Sequence, residues 1–209
     1  MKEVIDTVLL KDLRTEEYRE ANLFQGIDVD TLRGIQEGWA PEFEAAGADA
    51  RPEDAHWDWV RKSLAAMQNP FIYEIYGIEI DQQTQGMMLA AKGGVNSFSR
   101  HQDHPRKPLI YVDFLATAPW NRPLLTPRPR FKGVGRTLIM TAVTLSYEEE
   151  FSGRIGLHSL PGAEPFYRES MGMYDFGGDP DYHNLRYFEF SQSMAAELTG
   201  YVPPEKKGG

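Results

Sequence analysis

The sequence predicts an α/β fold with a mixed central sheet. Runs rich in β-branched and aromatic residues alternate with stretches whose apolar residues recur every three or four positions, the pattern of strands layered against helices. The clearest passage is an apolar run at 109–118, a glycine-containing turn at 130–136 and a helical pattern at 137–150. Of the 209 residues 41% are hydrophobic and 25% charged, which suits one domain with a proper core.

Residues 4–10 read as a first strand, ended by Lys11 and Asp12, and 13–24 have mixed helical character up to Gly26. Asp30 is placed to cap a helix carrying Leu32, Ile35 and Trp39, interrupted by Gly38 and Pro41 and resumed over 42–48. Pro52, followed by Glu53 and Asp54, opens another helix, whose Trp57, Val60, Leu64 and Met67 form one apolar stripe ended by Asn69-Pro70. Trp39, Trp57 and Trp59 read as core residues. Residues 71–80 predict a strand, 81–86 a turn and 87–91 an antiparallel partner. Residues 93–108 lack periodicity and read as a loop.

The run 109–118 is the next strand, and Pro119, Pro123, Pro127 and Pro129 make the segment after it stiff and non-helical. Val134, Leu138, Thr141, Ala142 and Leu145 give the following helix its buried face, whereas Glu148, Glu149 and Glu150 oppose its dipole. Then come a strand at 154–159, a short helix at 164–170 closed near Gly172, and strands at 173–176 and 185–190 around a polar turn. Residues 199–209, with Pro203-Pro204 and terminal glycines, read as a flexible tail.

The chemistry concentrates in Arg130-Phe131-Lys132-Gly133-Val134-Gly135-Arg136. Strand, glycine turn and helix in that order present free backbone N–H groups to a phosphate, and glycines let the backbone approach closely. Arg130, Lys132 and Arg136 add charge. An ordinary basic turn would look similar. The stretch is neither a Walker loop, since no Lys-Ser/Thr follows the second glycine, nor a dinucleotide G-x-G-x-x-G, since a third glycine is missing.

The stretch does fit Q/R-x-x-G-x-G/A, with Arg130, Gly133 and Gly135 in the fixed places. Downstream, Gly153-Arg154-Ile155-Gly156-Leu157-His158-Ser159, then Phe166-Tyr167-Arg168-Glu169 and Met171-Gly172-Met173, continue the match. Over about residues 109–176 the chain resembles the GNAT superfamily of acyl-CoA-dependent N-acetyltransferases. The resemblance implies a mixed, mostly antiparallel central sheet flanked by helices. It implies a single domain over 1–198, with an acyl-CoA core at 109–176 and a helical acceptor side at 26–70. Acetyl-CoA would be the acyl donor, its pyrophosphate held at Arg130, Phe131, Lys132, Gly133, Val134, Gly135, Arg136 and Thr137. The pantetheine arm would lie along the backbone of Leu115, Ala116 and Thr117. The acceptor would be an amine-bearing small molecule or protein, its pocket built from 26–70 and the loop 93–108, and a homodimer is compatible.

Acyl transfer from a thioester needs a deprotonated amine, a polarised carbonyl and a stabilised thiolate. A Tyr hydroxyl can protonate the leaving sulfur, and Tyr167 matches the family's tyrosine for that role; a packing aromatic is the alternative. Two residues compete for the base. Asp113 is an acid in an apolar strand, sharing a face on strict alternation with Tyr111, Leu115 and Thr117. His158 lies near the end of the next strand. Many relatives carry Asn where Leu160 stands here. A non-catalytic acyl-CoA-binding sensor or interaction module would share the phosphate loop but need neither Tyr167 nor a base.

Zero cysteines exclude an acyl-cysteine intermediate and disulfides. A net charge of −9 argues against a nucleic-acid partner and against acylation of aminoacyl-tRNA, and is compatible with cationic amines. No apolar run approaches ~20 residues, so no membrane association is expected and cytoplasmic localisation is the default. His101 and His104 sit in the polar loop, where a solvated role is expected and no metal site.

Overall fold

The structure, a computed structural model, describes residues 1–45 and 51–200. The end of the resumed helix at 46–48 and the tail at 201–209 lie outside the described residues. The strands are β1 (Glu3–Asp12), β2 (Tyr18–Gln25), β3 (Tyr73–Ile80), β4 (Gln83–Ala91), β5 (Ile110–Thr117), β6 (Phe131–Lys132), β7 (Ile155–Ser159), β8 (Tyr174–Asp179) and β9 (Leu185–Phe190). The helices are α1 (Val29–Ala45), α2 (Trp59–Met67), α3 (Val134–Glu148) and α4 (Gln192–Thr199). The described strands form one sheet in the order β6-β1-β2-β3-β4-β5-β7-β9-β8, antiparallel throughout except where β5 meets β7.

Several elements depart from expectation. Residues 18–25 form a strand, not a helix, because Ala21 and Leu23 turn inward between exposed Glu20 and Asn22, and pairing with β1 and β3 overrides propensity. The N-terminus of α1 is capped by Asp28, not Asp30: the Thr31 N–H donates to Asp28 Oδ1 at 2.7 Å. That helix runs through Pro41, burying Thr31, Ile35, Trp39 and Phe43 at four-residue spacing. α2 begins only after its cap Asp58, so its inward face is Trp59, Ser63 and Ala66. The proposed stripe fails, since Leu64 is 52% and Met67 56% exposed. The proline-rich segment includes one 3-10 turn, Pro119–Asn121. Thr199 belongs to α4, which the periodicity did not suggest; its hydroxyl donates to the Ala195 carbonyl at 2.8 Å. Glu149 at the end of α3 is explained by Lys92, which it pairs at 3.1 Å.

Two apolar layers cover the sheet. On one face α3 packs Leu138, Ile139 and Ala142 against Ile78, Met88 and Val112. On the other, α1 and α2 pack Ile35, Trp39 and Trp59 against Phe24, Met87 and Leu89. The first turn of α3 lies hard against β4, because a Cβ on Gly86 would fall 2.5 Å from Val134 Cγ1. Gly86→Ala should therefore cost about 1–3 kcal/mol in denaturant unfolding. Adding Val134→Ala should recover part of it, and additive losses would contradict the close approach.

Candidate functional site

β5 and β7 pair in parallel only at Ile110 with Ile155 and Tyr111 with Gly156, then part. At the break, Asp113 has no partner in β4: Val112 faces Ala90 and Phe114 faces Leu89. Such a bulge bends a strand and shifts the alternation beyond it. Asp113 and Phe114 consequently both lie on the α1/α2 side, while Leu115 packs into the α3 side. The expectation that Asp113 shares a face with Leu115 and Thr117 is corrected by this one extra residue.

The Ala118 N–H donates to the Gln85 carbonyl at 2.8 Å, which sets the ladder phase with β4. By antiparallel alternation the backbone of Ala116 is turned to Met87, whereas Leu115 and Thr117 point into the wedge between β5 and β7. The Thr117 carbonyl already accepts from Arg122 Nε at 2.8 Å. The polar groups left for a ligand are thus the Leu115 N–H and C=O and the Thr117 N–H.

The glycine turn divides in two. Phe131 and Lys132 pair with Asp12 and Lys11 of β1, and the Phe131 N–H donates to Asn121 Oδ1 at 2.9 Å. Thr137 N–H donates to the Gly133 carbonyl at 2.9 Å as the first bond of α3. Val134, Gly135 and Arg136 hold the N–H groups that precede any intrahelical bond, and Gly133 caps the helix at φ 107° with no side-chain cap. The amides left without a partner in this turn are thus those of Val134, Gly135 and Arg136, since Phe131 and Thr137 have theirs engaged. Arg130 lies over the Phe131 ring, 4.8 Å from its centroid, and reaches Gln83 Oε1 at 3.2 Å. Lys132 and Arg136 are exposed and make no ion pair among the described residues.

A Cβ on Gly135 would lie 3.4 Å from the Phe166 ring and 3.8 Å from Thr117 Cγ2. Three pieces therefore meet there: the end of β5, the start of α3, and the π-helical turn Phe166–Ser170. Tyr167 on that turn is 6% exposed, its ring against Phe166 and Phe188. Burial pushes its phenol well above the ordinary value, with Asp54 adding to the rise. Its hydroxyl has no hydrogen-bond partner among the described residues.

No protein-family profile matches the chain, and no curated protein matches it in sequence. Solved structures match it in shape. A protein assigned as a GNAT-family acetyltransferase from Desulfovibrio desulfuricans is 11% identical, covering 82% of this chain and 99% of its own, with a TM-score of 0.52. The fold is that of the GNAT acetyltransferases. An assigned acetyltransferase from Staphylococcus aureus Mu50 is 8% identical over 80% of this chain and 98% of its own, at a TM-score of 0.50. A chain of the DNA-bound AtaT–AtaR complex is 15% identical over 84% and 98%, at 0.51.

On the other side of this GNAT-type sheet, Asp113 borders a cavity of about 600 Å³ with Trp57, Lys62, Tyr73 and Phe114. Burial raises the Asp113 carboxyl above the usual range, partly offset by Lys62. Trp57 is therefore a cavity wall, edge-on to Phe114 at 4.9 Å, and not only a core residue. The loop 93–108 contributes nothing to this cavity. Arg100 instead pairs Asp179 at 2.7 Å, and Ser99 bonds Glu189 of β9. Trp57 precedes α2 and so stands outside the stripe in which its spacing placed it, and nothing in the sequence pointed to Lys62 or Tyr73.

His158 is not placed to act as a base. Asp179, ionised, accepts from His158 Nε2 at 2.9 Å, so Nδ1 is the acceptor for the Tyr111 hydroxyl at 2.7 Å. Both ring nitrogens are committed, the side chain is 3% exposed, and the ring stacks on Tyr182 at 4.1 Å. Among the described residues no group of three metal-ligating side chains gathers, and no helix is long and apolar enough to cross a membrane.

Burial holds the His158 imidazole below its ordinary value. The unfolded chain then binds that proton more readily, so the contribution is complete above about pH 6.5 and is lost below it. Asp179 is held down to about 2, first by the His158 hydrogen bond, and its contribution goes only as pH falls from about 4 toward that value. Melting temperature should thus decline in two acid steps, and His158→Gln should remove the first. A wild-type melting temperature flat between pH 7 and 5 would contradict the buried neutral histidine.

Proposed function

We propose that the chain is an acyl-CoA-dependent N-acyltransferase that moves an acetyl group from acetyl-CoA directly to a primary amine. The observation that carries the reading is the convergence at Gly135 of free helix N–H groups, an unpaired strand edge and the Tyr167 turn. The amides of Val134, Gly135 and Arg136 with the helix dipole suit a pyrophosphate, and the lack of a side chain at Gly135 keeps that surface open. Exposed Lys132 and Arg136 add cationic charge beside it.

In this reading the amine nitrogen attacks the thioester carbon from the Asp113 side. Asp113 takes the amine proton, directly or through water, and its raised pKa suits it to do so. The Leu115 or Thr117 N–H polarises the carbonyl oxygen. As the carbon–sulfur bond breaks, the Tyr167 hydroxyl, which no protein group engages among the described residues, gives its proton to the departing thiolate.

Thiol release from acetyl-CoA with a panel of amines tests the reading. Gly135→Asp should abolish acetyl-CoA binding in calorimetry, since it adds bulk and negative charge at the amides. Tyr167→Phe should keep that affinity and cut turnover roughly 10–10³-fold. Full turnover by Tyr167→Phe would remove the leaving-group role, and thiol release by no amine would sink acyl transfer itself.

The base has its own test. Because burial raises the Asp113 carboxyl, the acidic limb of the pH–rate profile should lie above the ordinary carboxylate range. Asp113→Asn should erase that limb and slow turnover by ~10²-fold or more. An unchanged profile in Asp113→Asn would exclude it as the base.

A further inference from the structure

The cavity beside Asp113 is balanced in charge within an acidic chain: the protein carries a net charge of −9, whereas Arg61 and Lys62 line this cavity with two carboxylates, Asp58 and Asp113. One of those, Asp58, is engaged: its Oδ1 accepts the Arg61 backbone N–H at 2.9 Å as the cap of α2. Lys62 has no hydrogen bond or ion pair among the described residues. Its ammonium instead lies 3.1 Å from the Phe114 ring centroid and 5.2 Å from that of Trp57. Aromatic faces steer a cation but replace only part of its lost hydration. Burial accordingly holds the Lys62 ammonium below its usual pKa, with Asp113 and Asp58 pulling the other way. An anion delivered by a ligand would complete this site.

The walls define the rest of the ligand. Trp57 and Phe114 meet edge to face at an interplanar angle of 80°, and Tyr73 and Leu89 extend the surface. These are flat or branched groups, suited to a flat apolar body. Asp113 is the carboxylate left to face a cationic or neutral amine.

We propose that the acceptor is a small amine bearing a carboxylate and a flat apolar body, an aromatic α-amino acid in chemical class. Lys62 pairs the carboxylate, Trp57 and Phe114 hold the body, and the amine faces Asp113. A polyamine or an aminoglycoside would instead bring further ammonium groups against Lys62 and Arg61, where like charges repel. The amine's role as acceptor rests on the acyl-transfer reading; the recognition of the carboxylate does not.

Calorimetric titration of the full chain with L-phenylalanine, 2-phenylethylamine and 3-phenylpropanoate, without acetyl-CoA, tests this directly. Phenylalanine should bind at least about tenfold more tightly than phenylethylamine, the scale of one charge-assisted contact. Lys62→Met should abolish that preference, and Lys62→Arg, keeping the charge, should retain most of it. Equal or tighter binding of phenylethylamine, no binding of any probe, or an unchanged preference in Lys62→Met would overturn the proposal. Thiol release with amines that lack a carboxylate, when phenylalanine does not bind, would sink the proposal and leave acyl transfer standing. Lys62-dependent phenylalanine binding with no thiol release from any amine would do the reverse.

Discussion

Parallel pairing between β5 and β7 stops after two residues, and the site depends on that break. A strand interior with one open edge exposes backbone donors and acceptors that need partners. Here β4 holds β5 along its other edge as far as Thr117, so the strand stays extended where β7 has left it. The bulge at Asp113 lies at the point of parting, and it distributes side chains as well as bending the strand. Tyr111 stays in the cluster with Tyr187, Asp113 enters the cavity, and Leu115 turns to the α3 side. One inserted residue thus supplies an acid to one face and a backbone edge to the wedge.

Contacts on either side hold the wedge open. Gly86 lets the first turn of α3 sit against β4, which sets its free amides beside Thr117. Arg122 grips the Thr117 carbonyl and makes a two-pronged pair with Asp54 at 2.6 and 2.7 Å. Glu53, the next residue, accepts the Gly162 N–H just beyond β7 at 3.0 Å. The segment around 53–54 therefore ties the ends of both parted strands together. On the far wall, Tyr111, His158 and Asp179 form a chain of satisfied buried polar groups that the exposed Arg100 completes from outside. Such a chain favours a unique packing because each member would be costly to leave unpaired.

Charge is partitioned in the same spirit. Many carboxylates meet arginine or lysine at the surface, as Asp175 does with Arg168 and Arg186, where pairing adds little stability. Lys132 and Arg136 of the glycine turn and Lys62 of the cavity are left without such partners among the described residues. The net charge of the whole chain is therefore not reproduced in the cavity lining, where Arg61 and Lys62 stand with Asp58 and Asp113.

The sequence by itself determined the passage from β5 through α3 to β7, because apolar runs, a Gly-x-Gly turn and a 3.6-residue period are local signals that packing reinforces. It also marked Gly133, whose φ of 107° is a backbone conformation that glycine answers. It misread β2, whose partners lie in other strands, and the stripe of α2, because the helix begins at Trp59 and that one shift rotates which residues face inward. His158 looked like a base from its residue type alone, and only the tertiary structure shows both nitrogens committed to Tyr111 and Asp179. The bulge at Asp113 and the meeting of Lys62 with Trp57 and Phe114 were likewise decided in three dimensions. Each depends on register or on contacts between distant segments, and neither register nor long-range contact is encoded in the spacing of neighbouring residues.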